Sequence, residues 1–217
     1  GLLPKIEIPP KTSTNMVTDI KNGLVYVYTN RVILMLILLS FGTMMFAMPL
    51  RFILPIFAKD IFLVGPEGLG TMMSMMGVGA LGGALFVASV KKLNRRGTVL
   101  IVTGMFSGIV LLGFSLMSHI QPIYSLSLIF MVFMGIIQSG RMALGSSLIM
   151  QYTDQEFRGR VMSFITLTHG AMPAAVVPVT IMVDNIGAPP TTAIMAILLI
   201  ALTLTIYAGS PLLRNLD

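Results

Sequence analysis

Apolar residues fill six long runs of this chain, at 32–58, 69–90, 98–117, 123–150, 161–183 and 191–208, and nearly every charge lies in the gaps between them. A hydrocarbon core ~30 Å thick takes ~20 helical residues to cross, and each run is about that long. The bilayer core offers no water to an unpaired backbone group, so a spanning segment is either a helix or a strand of a closed barrel. Barrel strands alternate apolar and polar residues over ~10 positions, and these uninterrupted runs do not. The pattern predicts an all-α membrane protein with six transmembrane helices forming one bundle over 32–209. A short tail follows at 210–217.

Residues 1–31 break the pattern. They are polar, carry Pro4, Pro9 and Pro10, and begin with Gly, which is expected of a linker inside a longer protein. Within them Ile20, Leu24 and Val27 recur at helical spacing, predicting a short amphipathic helix over 19–30 on the membrane surface. The gaps at 59–68, 119–122 and 184–190 hold the stop signals Gly65, Pro66, Pro122, Gly187, Pro189 and Pro190.

Composition agrees with the periodicity. Of 217 residues, 55% are hydrophobic and 10% charged, against roughly 25% charged in a soluble domain. The net charge of +6 matters through its placement. Lys5, Lys11, Lys21, Arg31, Lys91, Lys92, Arg95, Arg96, Arg158, Arg160 and Arg214 all fall on one side of an alternating six-helix topology, and Lys59 alone falls on the other. The positive-inside rule then makes both termini and the loops at 91–97 and 151–160 cytoplasmic. No basic face exists outside those loops, so nucleic acid is not an expected partner. With no cysteine there is neither a disulfide framework nor a thiolate site. With no Trp, the interfacial anchors are Tyr26, Tyr28, Tyr124, Tyr152 and Tyr207, all near expected helix ends.

Two arginines stand inside runs. Arg51 in the first and Arg141 in the fourth lie at matching positions along their runs, and because those helices run in opposite directions the two fall near opposite faces. This is what a three-plus-three inverted repeat produces, a hallmark of secondary transporters. A charge in a span either faces an aqueous cavity or snorkels to the headgroups. Arg141 fits the cavity reading better, because its helix continues past it. Gln138 lies one turn before it on a similar face, and the two together suit an anionic or polar group of a solute. His169 titrates near neutral pH and sits deep in the fifth run: it is either a proton carrier or a histidine bonded to a neighbouring helix. No Asp or Glu lies deep in any run. Pro49, Pro55, Pro173 and Pro178 predict helix bends, which in membrane helices are either simple kinks or the walls of a gate. Small residues mark packing faces, with Gly79 and Gly83, Gly104 and Gly108, and the stripe Gly135, Ser139, Ala143 and Ser147 each four apart.

Enzymatic chemistry finds little support. Ser146 and Ser147 with His169 form a poor serine–histidine pair, since the serines lie near the helix end and the histidine lies deeper. The two histidines build no metal cluster. No enzyme, metal or cofactor is expected.

The stretch 153–163, with Arg158, Gly159, Arg160 and Val161, resembles the cytoplasmic Arg-Gly-Arg-Val loop of the major facilitator superfamily. It is most similar to the branch of bacterial siderophore and multidrug exporters of the enterobactin-exporter type. Met48 and Pro49, the stretches 55–60, 65–70 and 77–83, Met172 and Pro173, and Asp184 with Gly187 and Pro189 resemble the same branch. The resemblance implies the C-terminal half of a twelve-helix inner-membrane transporter, with a six-helix N-terminal half as partner, a small molecule as substrate and a proton as a candidate coupling ion. It implies that the helices bearing Arg51 and Arg141 line the central cavity. It also sets the family's cytoplasmic signature on 90–98, where Asn94 replaces the acid while Arg95 and Gly97 remain. Lys91, Lys92, Asn94, Arg95, Arg96, Gly97, Arg158, Gly159 and Arg160 are then the expected gate loops. A secondary exporter of drug-like or siderophore-like molecules working by alternating access is the expected function. The alternatives are a six-helix half-transporter acting as a homodimer and a non-transporting membrane scaffold.

Overall fold

The computed structural model describes residues 16–89, 96–170 and 172–209, except for the side chains of 16–22, 164 and 167–169. The described elements are all helical: α1 (Met16–Thr29), α2 (Arg31–Ala47), α3 (Leu50–Ile56), a π-helical turn (Phe57–Ile61), α4 (Gly65–Ser89), α5 (Arg96–Ile120), α6 (Tyr124–Tyr152), α7 (Arg158–Gly170), α8 (Met172–Ile186) and α9 (Ala188–Gly209).

The first apolar run is a single span, Arg31–Ile61, assembled from α2, α3 and the π turn. Asn30 starts it by accepting the Ile33 N–H at 3.4 Å, which satisfies one of the free donors of the first turn. Proline has no N–H and crowds the preceding turn. Accordingly α2 stops at Ala47, and α3 restarts with Pro49 as its N-cap. Pro55 lies inside α3, and just beyond it the ladder slips by one residue, the Phe62 N–H donating to the Phe57 carbonyl at 2.8 Å. The chain then reverses through Leu63 (φ 55°) and Gly65 (φ 65°). Glycine adopts that left-handed backbone without a Cβ clash, whereas Leu63 holds it under strain.

Among the described residues, five segments are long and apolar enough to cross a membrane: Arg31–Ile61, Gly65–Ser89, Arg96–Ile120, Tyr124–Tyr152 and Ala188–Gly209. The run at 161–183 is occupied by α7 and α8, each shorter than a crossing. Pro173 is the second residue of α8 and Pro178 lies within it.

The helices pack through glycine. Along the α4–α6 seam a Cβ on Gly79 would strike the Val132 carbonyl, one on Gly83 the Ile136 carbonyl, and one on Gly135 the Met76 carbonyl. Backbones therefore touch directly, the close approach that small residues permit in lipid. On α5 a Cβ on Gly108 would strike the Ile200 side chain of α9 and come within 3.3 Å of the Ala196 carbonyl. Of the stripe Gly135, Ser139, Ala143 and Ser147, Gly135 enters the seam, whereas Ala143 and Ser147 are exposed. Several hydroxyls within the bundle are satisfied locally: buried Ser118, Thr192 and Thr203 each donate to the carbonyl four residues back at 2.7–2.8 Å, as a medium without water demands.

Two apolar clusters form the core. One lies toward the end where α4, α6 and α9 begin, and gathers Phe57, Phe62 and Phe114 with ring centroids 4.8–6.4 Å apart. The other, toward the opposite end, holds Ile33, Leu36, Leu39, Leu100 and Leu148. Large apolar side chains such as Leu81, Leu85 and Phe86 on α4 and Val177 and Ile181 on α8 remain exposed. On a water-soluble protein so much exposed apolar surface would be a liability. On a membrane protein it is the face offered to lipid or to other helices.

Candidate functional site

Helices α2, α6 and α7 line a half-open cavity of about 130 Å³. The α2 wall is Ile37, Ser40, Phe41, Thr43 and Met44, extended by Met48 in the break before α3. From α6 come Gln138, Arg141, Met142, Gly145, Ser146 and Ile149, and from α7 come Met162 and Ile165. The lining is mostly apolar, and four of these side chains are methionine thioethers. Such side chains are flexible and polarizable, so they conform to ligands of different shapes.

Position on α6 explains the polar residues. Gln138 and Arg141 are one helical turn apart and thus share a face. That face turns inward: Arg141 is only 7% exposed. Its Nη1 is buried and has no hydrogen-bond partner among the described residues. The nearby hydroxyls serve their own helices, Ser40 donating to the Leu36 carbonyl at 2.9 Å and Ser146 to the Met142 carbonyl at 2.8 Å. That unpartnered Nη1 in a mostly apolar wall is the unsatisfied polar atom of this site among the described residues.

The structure brings together only part of the expected set. Gln138 and Arg141 line the cavity, whereas Arg51 is exposed on α3 and lies outside the lining. The side chain of His169 lies outside the described residues. Sequence reasoning expected the first run to line a cavity but named none of the α2 residues that do, and it missed the α7 wall. The α2 wall was legible, because Ile37, Ser40, Met44 and Met48 follow the i, i+3, i+7 rhythm of one helical face.

Lys91, Lys92, Asn94 and Arg95 of the expected gate loops lie outside the described residues. Arg96 donates to the Gln151 Oε1 at 3.3 Å, joining the start of α5 to the end of α6. Gly97 is buried and Gly159 is exposed. Arg158 Nε donates to the Thr153 carbonyl at 3.2 Å, and the Arg160 guanidinium lies 5.3 Å from the centre of the Phe157 ring. Helix α1 packs on this loop. Tyr26 stacks on Phe157 with centroids 4.2 Å apart and planes 2° from parallel. Its hydroxyl donates to Asp154 Oδ2 at 3.0 Å and accepts the Asp154 N–H at 3.1 Å. The segment before the first span is thereby clasped to the 153–160 loop. A stacked pair contributes roughly 0.5–1.5 kcal/mol beyond its buried area. Replacing Tyr26 by Ala is expected to speed amide exchange at 154–161 about tenfold, and Tyr26→Phe, which keeps the ring, by less. Unchanged exchange in Tyr26→Ala would show that the clasp holds nothing.

A family model for the Major Facilitator Superfamily matches residues 32–212. No curated protein and no solved structure matches the chain.

Proposed function

The chain belongs to the Major Facilitator Superfamily, and from that premise we propose that it is one six-span half of a secondary exporter of amphipathic small molecules, drug-like or siderophore-like. Membership makes it a multi-pass membrane protein of a family that transports small molecules. The observation that carries the finer reading is the cavity between α2, α6 and α7, a methionine-rich recess with Gln138 and Arg141 on one wall. Ordinary ligand pockets measure roughly 300–1,000 Å³. A recess of about 130 Å³ suits one side of a site whose facing wall belongs to a second bundle. In alternating access two such bundles rock around a midplane site. The break at Met48 and Pro49 beside the recess gives α2 a place to bend. The exporter branch is supported by the motifs around Arg158, Gly159 and Arg160. The basic loops are assigned to the cytoplasmic face, where Lys91, Lys92, Asn94, Arg95, Arg96 and Gly97 would complete the gate, with His169 as the candidate proton site.

The test is flux. The full-length protein in phosphatidylcholine proteoliposomes is expected to move an amphipathic dye saturably, and more slowly when unlabelled solute competes. Flux equal to that of empty liposomes would remove the transport reading and leave a scaffold.

A further inference from the structure

Among the described residues Arg141 has no counter-ion. The chain's acidic residues are Glu7, Asp19, Asp60, Glu67, Asp154, Glu156, Asp184 and Asp217, all outside the apolar runs, and none of them lines the cavity. Guanidinium stays charged at neutral pH and offers five donors in a fork that matches an oxyanion. A charge buried without a partner is costly, and it is retained in a membrane span where it has work to do. Here Arg141 is 7% exposed, and its buried Nη1 has no hydrogen-bond partner among the described residues. Around it the wall is apolar, with Phe41, Met44 and Met162 within the same recess. A bare inorganic anion would satisfy the guanidinium and leave that wall unmatched. A cationic amphiphile would match the wall and meet a like charge.

We propose that the cavity binds an amphipathic anion, with a carboxylate, sulfonate or phosphate head on Arg141 and the apolar body against the methionine wall. Gln138 shares the Arg141 face and gives the head a neutral donor. This rests on the reading of the cavity as the solute site, and it adds the sign of the solute's charge.

The experiment is equilibrium dialysis of the full-length protein in phosphatidylcholine nanodiscs, with empty nanodiscs subtracted. Two probes carry the same apolar chain and opposite charge: octanesulfonate and octyltrimethylammonium. The unaltered protein is expected to bind octanesulfonate saturably and on the order of tenfold more tightly than the cation. Arg141→Gln is expected to erase that preference, and Arg141→Lys to keep most of it. Equal affinity for the two probes overturns the proposal without any variant being needed. So does octanesulfonate binding that survives Arg141→Gln, as it would if a carboxylate of a companion bundle already neutralised Arg141. Repeating the dialysis in phosphatidylglycerol nanodiscs separates two sources of the anion. Binding that persists supports a free solute, and binding that disappears assigns the site to a lipid headgroup and overturns the solute. Dye flux with no charge preference in binding defeats this inference alone, whereas charge-selective binding without flux defeats the transport reading alone.

Discussion

Gly135→Ala is expected to lower the midpoint of thermal unfolding more than any other single-methyl change in the bundle. The α4–α6 seam is a backbone-on-backbone contact at three glycines, where Gly79 faces the Val132 carbonyl, Gly83 the Ile136 carbonyl and Gly135 the Met76 carbonyl. A clash with a flexible side-chain end is relieved by a rotamer change. A clash with a carbonyl in a helical ladder is not, so the two helices must part. Gly135 is the most constrained of the three, because its added Cβ would also come within 2.8 Å of the Ala80 nitrogen. Overpacking a tight core costs ~1–3 kcal/mol, and here the upper end applies. For a chain of this length, that is a fall of roughly 5–10 °C in detergent, scaled from soluble domains. The control lies on α4 itself. A methyl added at Gly77 or Gly82 would meet no atom within 4 Å, so Gly77→Ala and Gly82→Ala are expected to hold or raise the midpoint by improving helix propensity. Circular dichroism or heat-induced aggregation reads all three variants. Equal midpoints for Gly135→Ala and Gly77→Ala would mean that α4 and α6 do not touch as described.

The same residues show what a sequence can and cannot disclose. Five of the six expected spans were legible because lipid imposes one requirement, a long apolar helix, and that is a one-dimensional pattern; the run at 161–183 instead holds the two shorter helices α7 and α8. Pro49 was legible as a break because the missing N–H is a local property. The π turn after Pro55 was not, because a shift from i−4 to i−5 pairing at Phe62 leaves no mark in residue type. Gly79 and Gly83 announced a packing face, yet their partner on α6 is fixed by tertiary geometry. Extending the Gly135 stripe through Ala143 and Ser147 overreached, since those residues are exposed. Arg141 stood out as a charge within an apolar run, and the structure gives it a cavity with Gln138. Arg51, the weaker of the two candidates, is not in that lining. Periodicity gives depth but not the azimuth at which neighbouring helices leave a space. The clasp of Tyr26 on Asp154 and Phe157 joins residues 128 apart in the chain, and no local signal encodes such a pairing.

Ser146→Trp is expected to stop solute flux while leaving membrane insertion intact. Ser146 lines the cavity and is exposed within it. Its hydroxyl donates only to its own helix, at the Met142 and Ala143 carbonyls. Removing that back-bond is inexpensive, because a Ser bonded four residues back slightly destabilises a helix. The new indole would fill most of a recess of about 130 Å³ and remove this side of the solute site, and flux is expected to fall to about a tenth or less. Octanesulfonate binding should fall with it, for any probe charge, since the obstruction is steric. Ser147→Trp supplies the matched control. It adds the same indole one residue further along α6, on an exposed face outside the lining, so its flux should stay near that of the unaltered protein. The pair separates a blocked path from a general effect of adding a large aromatic side chain to this helix. Normal flux through Ser146→Trp at normal insertion would place the solute path somewhere other than between α2, α6 and α7. The charge assigned to Arg141 would then have to be explained by lipid or by a companion bundle.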